Sequence, residues 1–330
     1  MKDISNTANK APAKNSRVKW IVIAAIILLV LAVAAAAAVI VYNQMIIGGN
    51  RLKAQLEDSN VTTITLEGDC YLEGTVQIRG EKIIEGEGTI YFVGDADESM
   101  KWKKYQILED ECFLQEIPEL ENRAAMFTME KGSSLTIGGK AAVNAQGKLL
   151  AVNVPAGAEL TIRDEAMITG GLGANIVNKG EVSVEGGTVL ADAYFGIMNY
   201  ADLSVSGGML ETRAKDVACV VSSGEMVISG GAMKSKDSTN IYMADGKLSV
   251  SGGTLETSAY DNIYVVKGTA EITGATISGG HGVHNAGGNV DVTGGQWQGS
   301  DHAIYNEGEM TLTGVTIEKT LNHAVVNRGE

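Results

Sequence analysis

The sequence predicts an all-β fold, a right-handed parallel β-helix with about 22 residues per coil, preceded by one transmembrane α-helix. Two observations carry this prediction. Gly-Gly pairs recur at nearly regular intervals in a chain that has 41 glycines and only 3 prolines. An uncharged stretch, WIVIAAIILLVLAVAAAAAVIVY, runs from Trp20 to Tyr42.

The uncharged stretch at residues 20–42 is long enough to cross a membrane, because a helix of that length spans about 34 Å. A cleaved signal peptide is the alternative, but its apolar core is usually only about 7–15 residues long, so the length favours an uncleaved signal anchor. The residues before Trp20 include five bases against the single acid Asp3, and positive residues stay on the cytoplasmic side. We therefore predict a single-pass membrane protein with a cytoplasmic tail at 1–19 and an extracytoplasmic domain at the cell surface.

The remainder of the chain consists of repeated units such as LSVSGGTLETSAYDNIYVVKGTA. Each unit contains apolar-x-apolar, Gly-Gly, a second apolar position, a variable stretch and apolar-x-Asn. Alternation with period two predicts short strands, and paired glycines predict turns between them. We assign 61–330 to the β-helix, 43–60 to a linker and capping helix, and about 94–123 to a charged insertion. Because the last unit is followed by no cap, we expect either that the natural chain continues or that the open end is tolerated, with a partner that covers it as the alternative.

Aligned units place equivalent residues in columns along the predicted β-helix. The inward column of the last strand reads Ile176, Ile197, Cys219, Ile241, Ile263, Val283, Ile304 and Val325. Two positions further on, the column reads Asn178, Asn199, Val221, Met243, Val265, Asn285, Asn306 and Asn327. Stacked asparagines can hydrogen-bond to one another and to backbone groups, so we interpret them as structural.

The cysteines follow from the same alignment. Cys219 lies in the inward column, which predicts a buried and unreactive thiol. Cys70 and Cys112 remain as candidates for a disulfide in an extracytoplasmic compartment, and the sequence leaves their pairing open.

A column of ionisable residues lies two positions before the inward column: Asp261, His281, His302 and His323. Asp301 adjoins His302. Neighbouring coils are about 4.8 Å apart, which lets two imidazoles approach one metal ion, so His281, His302 and His323 are metal candidates. Asp261, His281, Asp301 and His302 are likewise the catalytic candidates. A solvent-facing polar column without either role is the alternative, and no cofactor is predicted.

The outward column of the same strands reads Val177, Met198, Val220, Tyr242, Tyr264, His284, Tyr305 and Val326. Rings along an outer face can pack on the apolar face of a sugar, so Tyr242, Tyr264, His284 and Tyr305 are candidates for ligand binding. Packing between neighbouring strands is the alternative.

The units as a whole resemble the pectin-lyase-like β-helix and, through LSVSGGTL and AIYNEG, adhesin-like β-helical surface proteins of bacteria. Asp261-Asn262 followed one coil later by Gly280-His281-Gly282 is similar to the Asp-Asp and Gly-His-Gly of polygalacturonase-like hydrolases. Asn262 replaces their second aspartate, Thr239-Asn240 replaces an Asn-Thr-Asp motif, and no Arg-Ile-Lys follows.

These resemblances imply an adhesin-like surface module that binds a cell-envelope or host glycan. A membrane-tethered polysaccharide hydrolase or lyase is the alternative. The formal net charge of −14 excludes nucleic acid as a partner, because phosphate binding requires a basic surface.

Overall fold

The computed structural model describes residues 15–96, 120, 123–299, 301–320 and 322–330. Its chain divides into two compact units, the first ending at Ile47 and the second running from Gly48 to Glu330. One helix, α1 (Asn15–Glu57), starts in the first unit and ends in the second. The segment expected at 43–60 to hold a linker and a capping helix is helical as far as Glu57.

The apolar part of α1 is long and hydrophobic enough to cross a membrane. The span Ile23–Glu57 contains an 18-residue window with a mean hydropathy of 3.1, and none of that window is buried. Leu28 and Val33, for example, expose 67% and 62% of their surface. An exposed apolar surface of this kind is unfavourable in water and suits a lipid environment.

Thirty strands follow the helix in the described residues. The first ten are β1 (Thr63–Leu66), β2 (Cys70–Leu72), β3 (Val76–Ile78), β4 (Glu81–Phe92), β5 (Ala125–Met129), β6 (Ser134–Ile137), β7 (Lys140–Asn144), β8 (Leu150–Val154), β9 (Glu159–Ile162) and β10 (Met167–Thr169). The next ten are β11 (Ala174–Asn178), β12 (Glu181–Val184), β13 (Thr188–Ala191), β14 (Phe195–Asn199), β15 (Asp202–Val205), β16 (Met209–Thr212), β17 (Ala218–Ser222), β18 (Glu225–Ile228), β19 (Ala232–Ser235) and β20 (Thr239–Met243). The last ten are β21 (Lys247–Val250), β22 (Thr254–Val265), β23 (Thr269–Ile272), β24 (Thr276–Asn285), β25 (Asn289–Val292), β26 (Gln296–Gly299), β27 (His302–Asn306), β28 (Glu309–Leu312), β29 (Thr316–Lys319) and β30 (His323–Asn327).

The strands form a parallel β-solenoid of about 11 turns with ~22 residues per turn, which confirms the predicted fold class. Each turn adds one strand to each of three parallel stacks. Stack 1 includes β12, β15 and β18, stack 2 includes β13, β16 and β19, and stack 3 includes β14, β17 and β20. The long strands β22 and β24 contribute to both stack 2 and stack 3.

The interior of the solenoid is a continuous apolar core that runs through all three stacks. At the first coil, Leu52 and Leu56 of α1 join this core. Lys82 occupies an interior position beside Leu135 of the next coil. Its Nζ donates hydrogen bonds to the carbonyl oxygens of Asp58 (2.8 Å) and Val61 (2.6 Å), and burial lowers its pKa.

A second apolar cluster lies on the outer side of stack 3. It includes Val177, Met198, Tyr242 and Tyr264, together with Leu120. All five residues of β11, β14, β17 and β20 are buried, so these strands are covered on both faces. The outward column of the sequence is therefore not exposed along these coils.

The predicted columns are correct except at one coil. The structure pairs Ile197 with Val220 and Val220 with Ile241, so Val220 and not Cys219 continues the inward column. Asn199 pairs with Ser222, so Ser222 and not Val221 belongs to the asparagine column. Met198 pairs with Val221, so Val221 and not Val220 belongs to the outward column. Cys219 is nevertheless completely buried, as predicted, and burial raises its pKa to about 12.

The predicted columns are displaced by one residue at this coil because the corner between stacks 2 and 3 varies in length. The corner between stacks 1 and 2 is nearly constant. The core residues Leu210 and Val220, on either side of the variable corner, are ten positions apart, whereas Ile277 and Val283 are six apart. The longer corner, residues 213–217, carries Asp216 at a positive φ of 55°. Nothing in the apolar pattern marks where these extra residues belong.

Two further predictions concern residues near the insertion. Cys70 carries a free, half-buried thiol, and Cys112 lies outside the described residues. Most of the segment expected to leave the solenoid at about 94–123 also lies outside them. Leu120 is described and belongs to the second apolar cluster.

Candidate functional site

The ionisable column predicted from the sequence lies at the variable corner, which is short in the coil of His281 because Ile277 and Val283 are only six positions apart. There, β22 and β24 pass from stack 2 to stack 3 as single strands of 12 and 10 residues. They pair in parallel with a register shift between Thr257 and Asp261, after which Asp261 lies beside His281. The irregularity interrupts the regular ladder just before Asp261 and His281.

His281 lies between two carboxylates. Its Nδ1 is 3.0 Å from Asp261 Oδ1, and its Nε2 is 3.0 Å from Asp301 Oδ2. The predicted column is continuous, because the ring centres of His281 and His302 are 5.3 Å apart and those of His302 and His323 are 5.5 Å apart. Asp261, His281, Asp301 and His302 are therefore neighbours in space, as the sequence indicated.

The two carboxylates stabilise the protonated imidazole of His281. The hydrogen bond to Asp261 is the largest contribution, burial opposes it, and together these effects raise the pKa of His281 to about 9. The hydrogen bond from His281 in turn lowers the pKa of Asp301. At neutral pH and without a bound cation, His281 is thus protonated and carries a positive charge.

Asp261 and Asn262 are both completely buried. Among the described residues, Asp261 Oδ2 has no hydrogen-bond partner. Asn262 accepts a hydrogen bond from Asn240 (2.8 Å) and donates to the carbonyl oxygens of Ser278 (3.0 Å) and His281 (3.1 Å). The asparagine that replaces an aspartate of the hydrolase motif therefore holds the backbone that carries His281.

The glycines beside His281 are explained by packing. A Cβ atom on Gly280 would lie 1.9 Å from the carbonyl oxygen of Tyr260, and one on Gly282 would lie 2.2 Å from that of Ala303 and 2.8 Å from the Trp297 ring. No side chain fits at either position. The Gly-His-Gly motif is therefore a consequence of close contact between coils.

His284 approaches the same cluster, although the sequence assigns it only to the ligand-binding column. Its Nδ1 lies 3.7 Å from Asp261 Oδ1 and its Nε2 lies 3.8 Å from Glu307 Oε2. Neither nitrogen has a hydrogen-bond partner within the part of the chain that the structure describes, and burial lowers the pKa of His284. In a regular strand, residues 281 and 284 point to opposite faces, so spacing alone does not predict this contact.

The aromatic column is present but mostly covered. The rings of Tyr242 and Tyr264 stack with centres 5.4 Å apart, and the column continues through His284 to Tyr305. Tyr242 is only 2% exposed and Tyr264 only 4%, because they belong to the second apolar cluster. Tyr305 is half-buried, and the exposed guanidinium of Arg328 lies 5.3 Å from its ring centre.

The comparisons with known proteins return no relatives. No protein-family model matches the chain, and neither a curated protein nor a solved structure matches it. The function therefore has to be inferred from the arrangement of its own residues.

Proposed function

We propose that this protein is an adhesin-like surface module that is anchored in a membrane by α1 and carries its solenoid outside the cytoplasm. The observation that carries the proposal is the unburied apolar stretch of α1, which continues in the same helix to Leu52 and Leu56 in the core of the first coil. The basic residues before Trp20 support a cytoplasmic N-terminus.

Contact with a glycan is the proposed role of the coils around Tyr305. The buried Tyr242 and Tyr264 offer no ring face to a ligand, so the binding surface is restricted to Tyr305, His302 and Arg328. Aromatic edges and a guanidinium can contact the CH groups and hydroxyls of a sugar together. This surface is small and solvent-accessible, which suits one unit of a surface glycan of the cell envelope or a host.

A membrane-tethered polysaccharide hydrolase or lyase remains the alternative, with Asp261, His281 and Asp301 as its reacting groups. Hydrolysis with inversion needs an acid and a base on opposite sides of the scissile bond, and both must reach the substrate. Asp261 is 0% exposed, whereas Asp301 is 39% exposed, and His281 fills the space between them. This burial supports the proposal of a binding module.

Membrane topology can be tested with single cysteines in a chain carrying Cys70→Ser, Cys112→Ser and Cys219→Ala. Val227→Cys, at a position 40% exposed on stack 1, reports on the solenoid, and Asn9→Cys reports on the N-terminal tail. We expect a membrane-impermeant maleimide to label Val227→Cys in intact cells, and Asn9→Cys only after permeabilisation. The reverse pattern would contradict the proposed orientation.

Glycan binding can be tested by applying the detergent-solubilised full chain to an array of neutral and acidic glycans. We expect Tyr305→Ala to lose binding and Tyr91→Ala, the same change on a distant coil, to retain it. Turnover of a polysaccharide that disappears in the Asp261→Ala, His281→Ala double variant would instead support the hydrolase alternative. Absence of both binding and turnover would contradict both assignments.

A further inference from the structure

We propose that Asp261, His281 and His284 bind one first-row divalent transition-metal ion of the Zn²⁺ class. The site goes beyond the proposed surface function and does not depend on membrane topology. It differs from the predicted metal candidates, His281, His302 and His323, in two of its three ligands. The ligand atoms would be the Nδ1 atoms of both histidines and a carboxylate oxygen of Asp261.

The spacing of these atoms is that of a metal coordination shell. Zn²⁺ binds nitrogen and oxygen at about 2.0–2.2 Å, so two ligands of a tetrahedral site are about 3.3 Å apart. Asp261 Oδ1 lies 3.0 Å from His281 Nδ1 and 3.7 Å from His284 Nδ1. The three ligand atoms all lie within 4.8 Å of one another, so small side-chain rotations would place them around one ion.

The polar atoms left unpaired in this cluster point to the same ion. Asp261 is completely buried, and its Oδ2 has no hydrogen-bond partner among the described residues. Neither ring nitrogen of the largely buried His284 has one either in the described part of the chain. A buried carboxylate with an unpaired oxygen and a buried imidazole with unpaired nitrogens are unfavourable, and a cation bound between them would give the carboxylate and His284 Nδ1 a common partner.

Each histidine also has an outer carboxylate at the nitrogen that would face away from the metal. His281 Nε2 lies 3.0 Å from Asp301 Oδ2, and His284 Nε2 lies 3.8 Å from Glu307 Oε2. Histidines that bind metals typically donate their second N–H to a carboxylate, which fixes the tautomer and orients the ring. Both imidazoles are arranged to present Nδ1 to the ion.

The histidines of the predicted ladder form a poorer site. The rings of His302 and His323 are nearly parallel, with 6° between their planes, and imidazole–metal bonds lie in the ring plane. Two stacked parallel rings therefore do not point to a common ion. His281, Asp301 and His302 also lie within 4.8 Å of one another, but Asp301 is 39% exposed and already accepts a hydrogen bond from Asn322.

Binding would replace the proton shared by Asp261 and His281 with the metal ion and release that proton to the solvent. Three protein ligands leave a fourth position of a tetrahedral ion for water, an arrangement found in zinc sites that exchange their fourth ligand. Asp301 and Glu307 would act as positioning residues, since neither would touch the ion.

The test uses the full chain in detergent micelles, freed of metal with EDTA and then titrated with Zn²⁺ by calorimetry. We expect one Zn²⁺ per chain, with a measured heat that varies with the ionisation enthalpy of the buffer because the buffer takes up the released proton. Asp261→Asn and His284→Ala should each weaken binding by more than tenfold, whereas His302→Ala should retain the affinity within about twofold. Glu307→Gln should weaken binding by about tenfold, as expected for an outer-shell partner.

Substitution by Co²⁺ gives a second readout that does not depend on affinity alone. A visible absorption band of four-coordinate Co²⁺ should appear in the unmodified chain and in His302→Ala, and should be absent from His284→Ala. Circular dichroism of each metal-free variant shows whether the solenoid has folded, and His284→Gln replaces His284→Ala if it has not. Absence of stoichiometric Zn²⁺ binding would overturn the proposal, as would binding that survives His284→Ala but is lost in His302→Ala.

Discussion

Asn285 donates a hydrogen bond from its side-chain amide to Oδ1 of Asn306, 2.8 Å away on the next coil. The same Nδ2 contacts the carbonyl oxygens of Gly288 and Glu309, and Asn285 Oδ1 accepts from the Gly288 amide at 2.8 Å. One buried side chain therefore satisfies backbone groups of its own coil and of the next one. The predicted asparagine column is confirmed as a structural ladder.

We expect Asn285→Ala to destabilise the solenoid, because it leaves the buried Gly288 amide without its partner. A buried polar group without a partner costs about 1–3 kcal/mol, so the urea midpoint of unfolding should fall. Asn289→Ala is the control, since Asn289 is exposed and its side chain makes, among the described residues, only a long contact of 3.4 Å with Glu309. Equal midpoints for the two variants would contradict the structural role of the ladder.

The two glycines in α1 give a matched pair of substitutions. A Cβ atom on Gly49 would lie 1.8 Å from the carbonyl oxygen of Tyr71, whereas one on Gly48 would lie 3.9 Å from Cys70 Sγ. Gly49→Ala should therefore displace the helix from the first coil and lower the urea midpoint. Gly48→Ala should leave the midpoint unchanged or raise it, since alanine is favoured over glycine within helices by about 0.5–1 kcal/mol. A larger loss for Gly48→Ala would refute this packing.

Lys82 holds the connection between α1 and the first strand through its buried ammonium group. Lys82→Met keeps an apolar stem but leaves the carbonyl oxygens of Asp58 and Val61 without this donor, so we expect a loss of about 1–3 kcal/mol in unfolding free energy. Amide hydrogen exchange should increase at the first coils. The exposed Lys140→Met should change neither measurement.

Cys219 should resist alkylation in the native protein. Because burial raises its pKa to about 12, the folded chain retains the thiol proton at pH values where an unfolded chain, with a thiol pKa of about 8.5, has released it. The contribution of Cys219 to stability is thus complete below about pH 8.5 and is lost as the pH rises towards 12. In a Cys70→Ser, Cys112→Ser chain, iodoacetamide should react at pH 8 only after denaturant is added; rapid native reaction would show that Cys219 is accessible.

Periodicity predicts the strands, the three stacks and most columns, because one inward position per strand must be apolar in every coil. Periodicity assigns Cys219 instead of Val220 to the inward column, since a cysteine and a valine are equally acceptable in the core. The apolar pattern also does not show that the preceding corner has two extra residues. The hydrogen bond from Asn199 to Ser222 Oγ, at 3.0 Å, identifies the correct register. Lys82 is missed for the opposite reason, because a lysine in an interior column contradicts the apolar pattern.

The candidate site is predictable only in part. The column of Asp261, His281 and His302 follows from counting coils, but the approach of His284 to Asp261 requires the irregular register after Thr257. The burial of Tyr242 and Tyr264 depends on the second apolar cluster, which includes residues far away in sequence such as Leu120 and Val177. Neither the approach of His284 to Asp261 nor the burial of the two tyrosines can be predicted from the local spacing of residues.

The corner between stacks 2 and 3 also determines how this repeat can change by insertion and deletion. The coil through residues 213–217 holds two more corner residues than the coil before it, yet stacks 1 and 2 keep their pairing on both sides. A short peptide grafted at this corner should consequently leave the flanking coils in register. A short version of the same corner carries His281, so the position that tolerates length changes is also one where new side-chain combinations can arise.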